Sequence, residues 1–451
     1  MRLPEPPPTI DTLINDGKEA DLKLILSYRQ GPLDHRGKYQ HWAKVKYQQP
    51  PEGFTPKLYW LAMKQARLQI SKELPFKDKH GKPFVFCMPD SLVEHVLWIA
   101  KYSAGNQATA SKEDNYDQRA AHLKNSLIEE AIRSSQVEGA ATTRKVAKDM
   151  IREGRRPADH SERMILNNHN AMAFIRELKG EDLTPAIVFK LHEIITEGTL
   201  FGEDECMEGK FRRSSDDIRV YSKDDVLLHT PPKSDELEQR LKLVCDFANE
   251  ESEDDGSYIP LVIKGIIIHF MIGYDHPFVD GNGRTARALF YWMMIKSENS
   301  LLEYVSISRV LKKAPEQYKQ AYLDSETDGN DTTYFLYHQL KAIRQATNEL
   351  YEYLGVKAKK SKLIESLVSK SSFNGRLNVR QLEVLQHGID NPGAIFTIKG
   401  HMNTHGVVYQ TARTDLMGLS DDYPLLKKYK EGRTDMFMAP QNLSDALEAL
   451  G

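Results

Sequence analysis

Apolar positions along this chain recur mostly at helical spacing. Leu123, Leu127, Ala131 and Ser135 fall four apart, on one helix face, and Gly139 follows as a stop. Leu183–Leu200 predicts another helix, with Thr184 as N-cap and Pro185 at its first position. A helix-like segment also lies near Leu58–Leu74, with turn residues at Asp78–Pro83. Tyr258–Tyr274 is rich in isoleucine, as a buried strand would be. Its length and the spacing of Ile259, Ile263, Ile266, Ile267, Phe270 and Met271 decide for a buried helix. Between these helices Gly209–Pro232 changes period. Ile218-Arg219-Val220-Tyr221 and Val226-Leu227-Leu228, separated by Ser222–Asp225, read as a hairpin. Pro231 and Pro232 close it, and Ser234 is expected to cap the next helix.

Residues 375–441 have a different pattern. A helix near Val379–Gln386, turn residues at Asn391–Gly393 and a helix near Gly406–Leu419 come first. Leu425–Tyr429 and Thr434–Met438 then flank Glu431-Gly432 as a two-stranded wing. Helix, turn, helix and wing describe a winged-helix module. At about 150 residues per domain, 451 residues suggest two to four domains. The expected division is a packing or oligomerisation domain at 1–105, a helical core at 106–355, the module at 375–441 and a tail at 442–451.

Charge adds an exclusion. Lys and Arg number 61 and Asp and Glu 64, a formal net charge of −3, which argues against non-specific nucleic-acid or membrane binding as the main task. Cys87, Cys206 and Cys245 are few, distant and without a C-x-x-C pair, which fits a reducing compartment. The start MRLPEPPPTI lacks the apolar core of a signal peptide, and no apolar run reaches the ~18 residues of a membrane span. A soluble cytoplasmic protein without membrane contact is expected.

The chemistry lies in His276-Pro277-Phe278-Val279-Asp280-Gly281-Asn282-Gly283-Arg284-Thr285-Ala286-Arg287. The segment joins two predicted helices. Gly281 and Gly283 permit positive φ, so backbone N–H groups can converge on an anion, and the next helix N-terminus adds more donors. Arg284 and Arg287 fall in that helix's first turn, where cations oppose the helix dipole. Two of them call for a multiply charged anion, and a polyphosphate suits better than a carboxylate. Asp280 beside the phosphates suits Mg²⁺, and His276 can act as a general base. Gly281 to Ala286 also matches the G-x-G-x-x-A dinucleotide fingerprint, but the helical flanks argue against that fold.

The segment resembles the Fic family motif, H-P-F-x-[DE]-G-N-G-R-x-x-R, at every specified position from His276 to Arg287. Asp275 stands where many relatives carry an apolar residue. The resemblance covers roughly residues 100–355. It implies a mainly α fold, a Fic-type helical core with a β-hairpin flap, followed here by the winged-helix domain. It implies transfer of AMP from ATP to a Ser, Thr or Tyr hydroxyl of a protein. His276 would be the base and Asp280 would hold Mg²⁺. Gly281, Asn282, Gly283 and Arg284 would cradle the α- and β-phosphates, and Arg287 the γ-phosphate. The hairpin, with Ile218, Arg219, Val220 and Tyr221, would be the flap that aligns a target by strand addition. Tyr318 and Tyr322, four apart, could line an adenine pocket or be ordinary core aromatics.

Ser134-Ser135-Gln136-Val137-Glu138-Gly139 resembles the family's inhibitory motif, [ST]-x-x-x-E-[GN]. Its Ser134, Glu138 and Gly139 close the helix expected near 120–139. A carboxylate in a helix's last turn opposes the macrodipole, and an external cation relieves it. The resemblance makes that cation Arg287, so Glu138 would withdraw it from the γ-phosphate. AMP removal by the same site stays open, as do self-modification and a homodimer. Thr411 to Leu416 resembles a recognition helix, and Lys427, Lys428, Lys430 and Arg433 cluster on the wing. Eight basic and seven acidic residues over 375–441 make DNA a weaker expectation than protein docking. A nucleotide-sensing DNA-binding regulator is the alternative reading of the whole chain.

Overall fold

A computed structural model describes residues 3–11, 19–29, 31–103, 116–178, 180–250, 258–296, 302, 305–369, 376–432 and 434–449. The chain is mainly helical. An N-terminal part holds α1 (Glu19–Ser27), α2 (Trp42–Val45), α3 (Pro56–Gln69), the antiparallel pair β1 (Ser71–Lys77) and β2 (Pro83–Cys87), and α4 (Asp90–Ser103). The expected helix near Leu58–Leu74 therefore ends five residues early, and its last residues begin a strand. Next come α5 (Tyr116–Val137), α6 (Arg144–Glu153), α7 (His160–Glu177) and α8 (Pro185–Thr196). Thr184 caps α8 as its sequence predicts, accepting from the Ile187 N–H.

The hairpin follows as β3 (Val220–Tyr221) and β4 (Leu227–His229), with Val220 opposite His229 and Tyr221 opposite Leu227. It is shorter than expected: Ile218 and Arg219 precede the ladder, and Arg219 pairs with Asp217. Ser222 Oγ accepts from the N–H groups of Asp224 and Val226, which closes the turn. Ser234 does not cap a helix. A short 3-10 turn at Ser234–Glu236 leads into α9 (Leu237–Asn249) without a side-chain cap.

The centre is α10 (Leu261–Asp275) and α11 (Asn282–Lys296), packed side by side. Both are buried almost all round, which resolves the isoleucine run as a core helix. Around them lie α12 (Ile307–Lys313), α13 (Pro315–Thr327) and the long α14 (Thr333–Ser369). The main apolar core runs from Phe84 and Phe86 of β2 through α8, α9, α10 and α11 to Phe335, Leu336 and Leu340 of α14.

The C-terminal part has its own core, including Val384, Leu385, Leu416, Leu419, Phe437 and Leu443. Its order is α15 (Val379–Asp390), β5 (Ile395–Thr397), α16 (Ile398–His405), α17 (Tyr409–Met417), β6 (Lys427–Glu431), β7 (Thr434–Met438) and α18 (Leu443–Ala449). The strands form one antiparallel sheet in the order β5-β7-β6. The segment expected as one helix from Gly406 is divided: Gly406 ends α16 in the left-handed region, and α17 starts after it. Asp415, in the expected recognition helix, is buried and accepts from Arg380, Asn378 and His401. Burial opposes its charge, but those donors hold its carboxyl well below the usual range. Arg413, Lys427, Lys428 and Lys430 are exposed, and Arg433 lies outside the described residues.

Glu130 fixes α5 to the core. It is buried, and it accepts from Ser306 Oγ, the Ser308 N–H and Ser308 Oγ at the start of α12. Burial raises its pKa against those bonds. Glu130→Ala would leave these donors unpaired inside the core. A loss of about 2 kcal/mol is expected, read as a lower urea midpoint.

Candidate active site

His276 terminates α10 in the left-handed region, with φ of 45°. Its Nδ1 lies 3.3 Å from the Gly273 carbonyl. A carbonyl can only accept, so Nδ1 carries the proton and Nε2 keeps a lone pair. Burial, with the nearby His229 and Arg212 adding to it, pushes the imidazole pKa down to about 4. The ring is thus neutral near pH 7, as a general base must be.

The loop from His276 to α11 is held by its own motif. Asn282 Oδ1 accepts from the Phe278 N–H and Nδ2 donates to the Phe278 carbonyl, each at 2.9 Å. Its side chain therefore shapes the loop, and only its backbone faces the helix N-terminus. Gly281 has φ of 79°, and a β-carbon there would meet Thr196 Cγ2 at 2.8 Å. Gly283 is helical, contrary to the expected positive φ. It is needed for space, because a β-carbon would run into Glu138 Oε1.

His192 of α8 supports this loop from below. Its Nδ1 accepts from the Gly209 N–H at 3.0 Å, so Nε2 is the donor that reaches the Asp280 carbonyl at 2.9 Å. The ring stacks on Phe278 at 3.7 Å. Burial holds its pKa down to about 4. Arg212, at the hairpin entry, donates from Nε to the His276 carbonyl and from Nη2 to Pro232. Asp275 pairs with Arg240 at 2.7 Å, and burial lifts its pKa to about 6 despite that partner.

Arg284 and Arg287 are both buried, and they face different partners. Arg284 Nη1 donates to the Ile195 carbonyl and Nη2 lies 3.2 Å from Asp280 Oδ2. Arg287 is 1% exposed. Its Nη2 lies 2.8 Å from Glu138 Oε1, and Nε and Nη2 also donate to Ser134 Oγ and its carbonyl. Its Nη1 is buried without a partner among the described residues. Burial would lower the Arg287 pKa, but Glu138, Tyr318 and Glu130 raise it above its ordinary value.

Glu138 follows α5 directly, in a turn closed by Gly139 at φ of 101°. Its carboxylate lies against Gly283, at the N-terminus of α11. There the first N–H groups lack intrahelical partners and the dipole favours an anion. The internal carboxylate occupies the kind of position a phosphate would take.

The remaining expected residues have mixed placements. Tyr318 and Tyr322 lie on α13, half-buried against the main core. Tyr318 Oη is 2.7 Å from His269 Nε2, and Tyr322 stacks on Phe270. Burial raises both hydroxyl pKa values, with Arg287 opposing. Tyr221 of the hairpin is exposed. Asp280 is exposed too, its Oδ1 accepting from the Gly281 N–H at 2.6 Å. Among the described residues no three His, Cys, Asp or Glu side chains cluster as a metal cage. One accessible carboxylate beside an anion site fits Mg²⁺, which takes few protein ligands and completes its shell with phosphate and water.

No periodicity or motif marks His192, Glu130, Arg240 or Arg212, because each meets its partners on an element distant in sequence.

Residues 182–294 match the Fic/DOC family. A protein adenylyltransferase Fic of Nematostella vectensis is 24% identical over 183 residues, covering 39% of this chain and 39% of its own length. The protein adenylyltransferase fic-1 of Caenorhabditis elegans is 37% identical over 68 residues, covering 15% of this chain and 13% of its own. The matches thus span well under half of these curated relatives. A crystal structure of a Fic family protein from Desulfovibrio desulfuricans G20 aligns with a TM-score of 0.48 and 16% identity, over 81% of this chain and 98% of that one.

His192 also gives the site a pH signature. The folded ring stays neutral down to about pH 4, whereas an unfolded imidazole takes its proton near ~6.5. Across that window the unfolded state holds more protons, so stability rises with pH. Urea midpoints should fall between pH 6.5 and 4.5, and fall less in His192→Asn.

Proposed function

We propose that this chain, which carries a Fic domain, moves AMP from ATP onto a Ser, Thr or Tyr hydroxyl of a protein, and that Glu138 restrains it. The observation that carries this reading is the Glu138–Arg287 pair over the α11 N-terminus, beside a neutral His276.

The chemistry follows from the groups present. Nε2 of His276 accepts the proton of the target hydroxyl, whose oxygen bonds to the α-phosphorus. The bond from that phosphorus to the oxygen bridging the α- and β-phosphates breaks, and pyrophosphate leaves with the electron pair. The N–H groups of Asn282, Gly283 and Arg284, at the start of α11, receive the α- and β-phosphates. The buried Arg284 adds a fixed charge. Arg287 receives the γ-phosphate once Glu138 gives way. Mg²⁺ held by Asp280 would neutralise phosphate charge. The exposed Tyr221 edge of the hairpin suits a target segment added as a strand.

Restraint by Glu138 has a physical basis. Its carboxylate and a phosphate compete for one cation and one helix end, and both carry the same sign. The C-terminal part, read as a winged helix, suits docking more than DNA. Its α16 lies against α6, with Asn403 Nδ2 donating to the Arg152 carbonyl.

Glu138→Gly should raise incorporation of label from α-labelled ATP, and γ-labelled ATP should give none. His276→Ala should abolish incorporation. Equal rates in wild type and Glu138→Gly would sink the restraint. The acid limb of kcat/KM should lie near pH 4, since protonation of His276 at about that pH removes the base.

A further inference from the structure

The hairpin residue His229 belongs to no motif in the sequence, yet it touches both the base-bearing helix and α13. It is buried, with Nε2 2.7 Å from the Tyr274 carbonyl and Nδ1 2.7 Å from Glu326 Oε2. The carbonyl has no proton to give, so Nε2 donates. Tyr274 is two residues before His276, in the last turn of α10, where carbonyls lack helical partners. Ile272 still accepts a helical bond from the His276 N–H, and two of the carbonyls beyond it are accounted for. Gly273 faces the His276 ring, and Tyr274 accepts from His229. One of these two donors comes from the base itself and one from the hairpin. Arg212 and its N–H then hold the His276 and Pro277 carbonyls.

We propose that His229 is a positioning residue that sets the hairpin and the His276 ring in one frame, through its bond to the Tyr274 carbonyl and its anchorage on Glu326. This rests on the AMP-transfer reading for its consequence, but not for its geometry. A target strand laid on Tyr221 is then registered against the base through β4 and His229. Glu326 lies on α13, the helix of Tyr318 and Tyr322, so the same residue also ties that helix to the hairpin.

Two substitutions separate positioning from packing. His229→Gln puts an amide N–H near the Nε2 position and keeps the Tyr274 bond. His229→Asn is too short to reach that carbonyl. Both are made in the full chain carrying Glu138→Gly. The Asn variant should lose transfer from α-labelled ATP on the order of 10²-fold, because small misplacement of a reacting group is that costly. ATP affinity by calorimetry should be unchanged, and the Gln variant should recover most of the rate. In the absence of nucleotide, the Asn variant should show faster amide exchange over Val220–His229 and a shifted His276 ring signal by NMR, with Gln close to the parent. If Asn and Gln behave alike, or if the Asn variant loses ATP binding in step with its rate, the proposal fails. If the Glu138→Gly parent transfers no AMP, the reaction reading fails, and exchange and ring signal still decide the role of His229.

Discussion

A buried cation close to a helix N-terminus is the constraint on which this site is built. Arg287 lies in the second turn of α11, not the first turn expected from spacing, and it is nearly inaccessible to water. Such a group is tolerated only with an anion at hand. Glu138 supplies it from outside the helix, and Ser134 adds two acceptors. Glu138 has its own deficit, since it sits at the carboxyl end of α5, where carbonyls already accumulate negative charge. Each end corrects the other. One guanidinium nitrogen still has no partner among the described residues, so the pairing leaves donor capacity that a larger anion could use.

The position of that pair depends on how two helices meet. α10 and α11 are buried on almost every side and occupy the centre, so the short loop between them has little freedom. Within it, Asn282 closes the loop on Phe278, and His192 holds Asp280 from α8. His276 sits at the end of one helix, and the Glu138 carboxylate lies at the start of the other. Opposite helix ends carry opposite partial charge, so a neutral imidazole and a helix end that favours an anion lie side by side across one turn.

The helix that ends just before Glu138, α5, is itself held from several sides. Glu130, two turns before Glu138, is tied to the start of α12. Beyond Gly139 the chain continues into α6, which lies against α16 of the C-terminal part. The C-terminal part thus reaches the element that follows Glu138, whereas its buried Asp415 is committed to its own core.

Part of this was legible in the sequence because its causes are local. The run from His276 to Arg287 is contiguous, and its glycines, arginines and acidic residue state their electrostatic relation through spacing alone. Glu138 was legible because Ser134 to Gly139 resembles a Fic-family inhibitory motif, and a carboxylate in a helix's last turn is relieved by a cation. The length of the isoleucine run told helix from strand. Other features have causes far apart in sequence. His192 reaches a carbonyl 88 residues away, His229 a carboxylate 97 away, and Glu130 a hydroxyl 176 away. A lone histidine or glutamate reads alike whether it faces water or a buried carbonyl, so spacing cannot reveal such partners. For the same reason Gly283 looked like a turn residue and proved to be a helical one, kept bare by the carboxylate above it. The sequence determined which groups could handle a proton and an anion. The tertiary structure decided which of them meet, because only packing sets the distance between groups on separate elements.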